Sequence, residues 1–377
     1  MLTLDRPAPE ARTRAVPAPG GSILGLDGLR AVAVAAVLLF HAQFQWMRGG
    51  YLGVEVFFVI SGFLITTLLL REAAAGGGIA LGAFWRRRLR RLLPALCALL
   101  LGLAAVGAGF LGARASQFRA DLLASFLYLE NWHQIRSQAS YFADQGLPLL
   151  RHLWSLSVEG QFYFVWPVLV WAAARLGKGR TWPLALMTLA LAAGSLALAL
   201  GLADPGNASS VQAMASLNRV YLGTDTRAFG LLAGALLALA LRAPARRPVL
   251  GRVLDLGAVA GLAGIGLLMV KVEVQAPFLY RGGLVLVDAL TALVIAALVV
   301  PGRGWMARCL GWAPLEWLGR RSYGIYLWHW PVYRLLLPGR DGLPWLGLRL
   351  LVTLALTEAT IIALLALLTI LASGCAP

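Results

Sequence analysis

Asp27, Arg30 and His41 are ionisable side chains placed inside one apolar stretch, Leu24 to Phe44. In a bilayer each would cost about 2.5 to 3.5 kcal/mol, so each needs a partner or a function. Asp27 and Arg30 are three residues apart and can pair on one helical face. Eleven residues separate Arg30 from His41, close to three turns and about 16 Å of rise, which puts the imidazole on that face at the far end. A histidine there can hydrogen-bond a loop at the edge of a span, or it can move a proton near neutral pH. Its alignment with Arg30 favours the second reading.

Five further groupings invite the same question. Glu55 and Ser61 stand among the aromatics Phe57 and Phe58, with Gly62 beside them. Glu55 reads equally well as a water-facing interfacial acid, and Ser61 and Gly62 read as a site of close helix packing. Phe84 to Pro94 holds Arg86, Arg87, Arg88, Arg90 and Arg91. Such a cluster can simply anchor the chain on the positive side of a membrane. Arg88 and Arg91 nevertheless share a helical face, and arginine forks suit bidentate binding of phosphate.

His152, Ser155 and Glu159 follow one another along a helix, with Trp154, Gln161 and Tyr163 beside them. Three neighbours on one helix do not give the geometry of a hydrolase triad. Asp225 and Arg227 open another apolar run, with Gly230 and Gly234 spaced for tight helix contact and Arg227 expected to pair internally. Ser322, Tyr326 and His329 form a stripe in which Trp328 and Trp330 suit an interfacial aromatic belt.

The elements that must position these groups follow from composition. Hydrophobic residues make up 59% of the 377 and charged residues only 13%, about half the charged share of a soluble domain. Apolar runs near the length of a bilayer crossing recur throughout, without the alternation of barrel strands. The expectation is an all-α, polytopic helix bundle. About ten full spans are expected at Leu24 to Phe44, Tyr51 to Leu70, Leu92 to Leu111, Leu153 to Ala174, Trp182 to Leu202, 223–241, 253–270, 284–300, 315–337 and 345–371. One short or re-entrant helix is expected from Phe118 to Trp132.

Residues 1–22 read as a disordered cytoplasmic tail, and 23–377 as one membrane domain. Lys and Arg crowd alternate loops, which places both termini in the cytoplasm. The formal charge of +16 lies in short clusters between spans, so no nucleic-acid partner is expected. Cys97, Cys309 and Cys375 lack metal-ligand spacing, no metal is expected, and no internal repeat supports an inverted-repeat transporter.

Taken in order, these motifs resemble the acyltransferase-3 family of bacterial membrane O-acyltransferases over roughly residues 24 to 340. The stretches are Leu26 to Ala33 with His41, Gly53 to Ile65, Arg87-Arg-x-x-Arg-x-x-Pro94, His152 to Tyr163, Asp225-Thr-Arg227, and Ser322 to His329. The resemblance implies transfer of an acetyl or other short acyl group from acyl-CoA, with acetyl-CoA the first choice, to a hydroxyl of a cell-surface glycan or lipid-linked saccharide at the bacterial inner membrane. It implies a catalytic His41, functional roles for Arg30 and Glu159, and an acyl donor held by Arg87, Arg88 and Arg91. Asp27, Glu55, Ser155, Asp225, Arg227, Tyr326 and His329 are supporting positions. Acyl-CoA is a donor substrate, and no cofactor is expected to stay tightly bound.

Glu55 stands where the family usually has Asp, and the chain stops at Ala-Ser-Gly-Cys-Ala-Pro377 instead of the Glu-Pro motif that often follows the last span. With no fused hydrolase-like domain read in the sequence, any second transfer step is expected to need another protein. Direct transfer and an acyl-enzyme relay are both open. A glycan or lipid transporter, with its buried charges lining a pathway, is the rival reading.

Overall fold

The computed structural model describes residues 23–75, 78–110, 115–137, 148–178, 180–203, 211–242, 248–299, 304–336 and 343–373. The tail 1–22 and Cys375 lie outside the described residues. Every regular element described is a helix. In order they are α1 (Leu26–His41), α2 (Gly53–Ala74), α3 (Leu81–Phe110), α4 (Ala115–Phe126), α5 (Glu130–Arg136), α6 (Trp154–Leu176) and α7 (Trp182–Leu202). Then follow α8 (Val211–Leu222), α9 (Thr224–Ala240), α10 (Pro248–Lys271), α11 (Leu284–Val299), α12 (Trp305–Leu310), α13 (Ala313–Leu335) and α14 (Leu343–Ser373).

Seven stretches among the described residues are long and apolar enough to cross a bilayer: Gly50–Ala74, Leu81–Gly107, Trp182–Leu202, Ala215–Ala240, Val253–Lys271, Leu279–Val299 and Trp345–Ala366. The polytopic helical bundle is thus present, while the count of ten is not reached on length and apolarity alone. Three helices from the expected set fall short. α1 has only 16 residues, and α6 and α13 are diluted by Ser155, Glu159 and Gln161 and by Arg320, Arg321 and His329. These are the helices that carry most of the polar groups singled out above.

Burial separates a core from a shell. In Gly50–Ala74 72% of the apolar window is buried, against 22% in α3, α7 and α14, whose outward leucines meet lipid. α2 runs along α9, and α1 runs along α13. Both contacts are backbone-close. A Cβ at Gly62 of α2 would lie 1.7 Å from the Leu231 carbonyl oxygen, and one at Gly319 of α13 would lie 1.7 Å from the Asp27 carbonyl oxygen. Small residues let helices approach where lipid offers no hydrophobic driving force, as read for Gly62.

Two boundaries differ from the sequence reading. α3 begins at Leu81, ahead of the expected span start at Leu92, so the helical arginine cluster and the apolar run form one continuous helix. The segment from Phe118 to Trp132 is two helices, broken at Tyr128, whose φ of 56° cannot continue an α-helix.

Candidate active site

Three of the four histidines converge at one end of the bundle. His41 is the last residue of α1 and is partly exposed, whereas His152 and His329 are buried. His41 Nδ1 lies 3.0 Å from His329 Nε2, across 288 residues of sequence. Their ring centroids are 5.1 Å apart, and Trp330 meets the His41 ring edge-on at 4.8 Å. The His152 ring stands 5.5 Å from that of His329.

Proline explains part of this packing. Pro331 lies inside α13, and having no N–H it leaves the carbonyl four residues earlier, on Leu327, without its helical donor. His152 Nε2 supplies that donor at 3.0 Å. Pro167 inside α6 likewise frees the carbonyl of Tyr163, to which the Trp85 indole N–H donates at 3.2 Å. Broken helices persist at membrane depth when other groups satisfy the backbone in this way.

A cavity of about 800 Å³, counting its open mouth, lies alongside. Arg30, Arg88 and Arg91 line it together with Glu159, Tyr163 and Ser61. Its walls include Phe57, Ile60 and Leu92, and Ser155, Ser322 and Tyr326 also face it. The Tyr326 hydroxyl donates to the His152 carbonyl at 2.8 Å and lies 2.8 Å from Ser155 Oγ. The cavity and the histidines are therefore one hydrogen-bonded layer apart.

The arginine end is charged and cross-linked. Arg30 pairs with Asp27 at 3.3 Å, as their spacing predicts. Glu159 accepts from Ser61 Oγ at 3.1 Å, and the Tyr163 hydroxyl lies 2.9 Å from Ser61 Oγ and 3.2 Å from Glu159 Oε2. The Arg88 guanidinium sits over the Tyr163 ring at 5.9 Å. Arg87 does not join them, because it is exposed and pairs with Glu72 at 3.3 Å. Helical periodicity would put Arg87 near Arg91 as well, so it is the Glu72 pairing that takes Arg87 from the cavity, while Arg88 and the exposed Arg91 line it.

Two of the remaining supporting positions, Glu55 and Arg227, form a separate buried group. Arg227 of α9 pairs with Glu55 of α2, both almost wholly buried, so Glu55 is not a water-facing interfacial acid. The guanidinium is ringed by Tyr221 at 5.2 Å, Phe58 at 5.7 Å and Trp154 at 5.9 Å. Asp288 of α11, which the sequence reading did not single out, reaches the same point. A Cβ at Gly230 would lie 2.6 Å from Glu55 Oε1 and 3.2 Å from Asp288 Oδ1. A lone acid in an expected span was the available signal. Asp225 serves the architecture, since it pairs with Arg219 and accepts from the Thr226 N–H at the start of α9.

A family model described as "Acyltransferase domain" matches residues 23–373. The peptidoglycan O-acetyltransferase OatA of Listeria monocytogenes is 38% identical over 320 residues, covering 83% of this chain and 50% of that protein. The putative peptidoglycan O-acetyltransferase YrhL of Bacillus subtilis is 38% identical over 348 residues, covering 89% and 53%. The O-acetyltransferase OatA of Staphylococcus aureus is 36% identical over 313 residues, covering 82% and 50%. This chain thus spans about half the length of the relatives it matches. No solved structure matches it.

Proposed function

Since the chain belongs to the acyltransferase family whose domain matches residues 23–373, we propose that it moves an acetyl or other short acyl group from acyl-CoA to a hydroxyl of a cell-surface glycan. The names of its relatives support a peptidoglycan-type saccharide as acceptor. The observation that carries the reading is the cavity running from Arg30, Arg88 and Arg91 to the Ser155 and Tyr326 hydroxyls, one layer from His41 and His329.

In this reading α1, α6 and α13 cross the membrane with the seven apolar stretches, making ten crossings. The arginine end then faces the cytoplasm with both termini, and His41 faces outward. Arg88 and Arg91, with Arg30, hold the phosphates of CoA, because their forks match phosphate oxygens. Arg87 takes no part in that, since it points away. The pantetheine arm lies along Phe57, Ile60 and Leu92 and carries the thioester towards Ser155 and Tyr326.

His41 accepts the proton of the acceptor hydroxyl as its oxygen attacks the thioester carbonyl. The new C–O ester bond forms, the C–S bond breaks, and the proton passes from His41 to the departing thiolate. Glu159 serves the arginine end through Ser61 and Tyr163, while His329 is the group set against the His41 imidazole.

The test is protein in liposomes supplied with labelled acetyl-CoA and a soluble muropeptide. Label should appear in the muropeptide with release of free CoA, and H41A should abolish it while leaving protein yield intact. Acetylation retained by H41A would remove His41 from the chemistry. Movement of glycan without CoA release would point to a transporter instead.

A further inference from the structure

The His41 and His329 rings are joined by one nitrogen each, and the second nitrogen of His329 settles which of them carries the proton. His329 Nδ1 lies 2.6 Å from the Tyr326 carbonyl oxygen. A carbonyl can only accept, so His329 Nδ1 carries the hydrogen. In a neutral imidazole the other nitrogen then has the lone pair, which makes His329 Nε2 an acceptor. The 3.0 Å contact with His41 is therefore a hydrogen bond donated by His41 Nδ1, leaving the lone pair of His41 on Nε2.

From this chain of bonds we infer that His329 is a positioning residue for the reaction: it holds His41 in the tautomer whose Nε2 can take a proton, and fixes the plane of its ring. The inference rests on the reading of His41 as the base. His329 itself touches neither donor nor acceptor, being buried between His41, Tyr326, His152 and Tyr333.

Among the described residues no carboxylate hydrogen-bonds either ring, so the orienting group is an uncharged imidazole. That suits the depth of the site. An ionised acid there would need its own compensation in a low-dielectric setting, whereas a neutral N–H to N bond orients the base without one. Pro331 contributes indirectly. By freeing the Leu327 carbonyl it gives His152 a fixed acceptor, and His152 packs edge-on against His329.

Two kinds of measurement test this on the full chain in liposomes. H329F keeps an aromatic ring but removes the acceptor, and should lower kcat by about 10- to 10⁴-fold, the range seen when an orienting partner is lost, with KM for acetyl-CoA unchanged. H329Q places an amide oxygen near the position of Nε2 and should recover part of that loss, which a merely structural role would not explain. The second readout is nitrogen NMR of histidine-labelled protein, with the His41 signals assigned by their loss in H41A. His41 should carry its proton on Nδ1 in the native chain and in H329Q.

A proton on His41 Nε2 in the native chain would overturn the inference, whether or not H329F folds. So would native kcat in H329F while H41A is inactive, and that result would leave the proposed function standing. Activity retained by H41A would overturn both.

Discussion

The arginine end and the histidine end of the site are built on opposite principles. Around the cavity, charge is concentrated: Arg30, Arg88 and Arg91 face Glu159, and the space is open at its mouth. Around His41 the neighbours are mostly rings packed about one partly exposed imidazole, and the charged group that acts on it is the Arg151 cation. Fixed cations suit a polyanionic ligand that must be held, while a base must stay neutral until it acts, which buried rings and a nearby cation favour and a carboxylate would oppose. On the proposed function, one bundle divides binding from proton transfer along its length, with Ser155 and Tyr326 at the join.

The sharpest way to break that division is to exchange its kinetic signatures. H41A should lower kcat by about 10²- to 10⁴-fold, the usual contribution of general acid and base catalysis, and leave KM for acetyl-CoA unchanged in steady-state assays. Arg88→Ala should do the reverse and raise KM for acetyl-CoA about 10- to 100-fold through loss of charge-assisted bonds. If both variants altered kcat and KM alike, the two ends would not be separate. Salt offers a milder version. Because exposed charges are screened over about 10 Å at 0.1 M, raising ionic strength should increase KM for acetyl-CoA and spare kcat at saturating donor.

A third group calibrates the contrast, because its charges are buried for architecture. Removing Arg227 leaves Glu55 and Asp288 facing each other inside the bundle, and breaking a buried pair typically costs about 3 to 5 kcal/mol. Arg227→Leu should therefore lower the melting temperature of the detergent-solubilised protein, whereas Asp288→Asn, which keeps the Glu55 pair, should lower it much less. Equal losses would mean that Asp288 is as much a part of the pair as Glu55.

The smallest effect is expected at Glu130, outside the spans, which accepts from Ser125 and Gln134. Burial raises its carboxyl well above the ordinary range, with Asp121 adding to the shift. It thus stays protonated in the fold at pH values where the unfolded chain ionises, and its contribution to stability falls as pH rises above the ordinary carboxyl range. Glu130→Gln should abolish that fall, which melting curves between mildly acidic and neutral pH would detect.

Much of this was legible in the residues. Apolar runs of bilayer length announce a helical bundle whatever their packing, since backbone groups in lipid have no other donors or acceptors. The Asp27 and Arg30 pair and the shared face of Arg88 and Arg91 follow from helical periodicity, a property of neighbours in sequence. Pro331 and Pro167 mark carbonyls that must find new donors, because a proline's missing N–H is local chemistry.

What the residues left open depends on distance across the fold. Periodicity aligns Arg30 with His41 but cannot show that His329, 288 residues away, is the partner of His41, or that Glu159 is held by Ser61, 98 residues from it. Nor can it tell that Asp288 meets Glu55, or that Arg87 turns to Glu72. Composition and spacing fix the solvent of this protein, its helices and the kinds of group it holds. Which of those groups meet was decided by helix packing, because small residues such as Gly62 and Gly234 mark where a helix can be approached closely but not which helix approaches it.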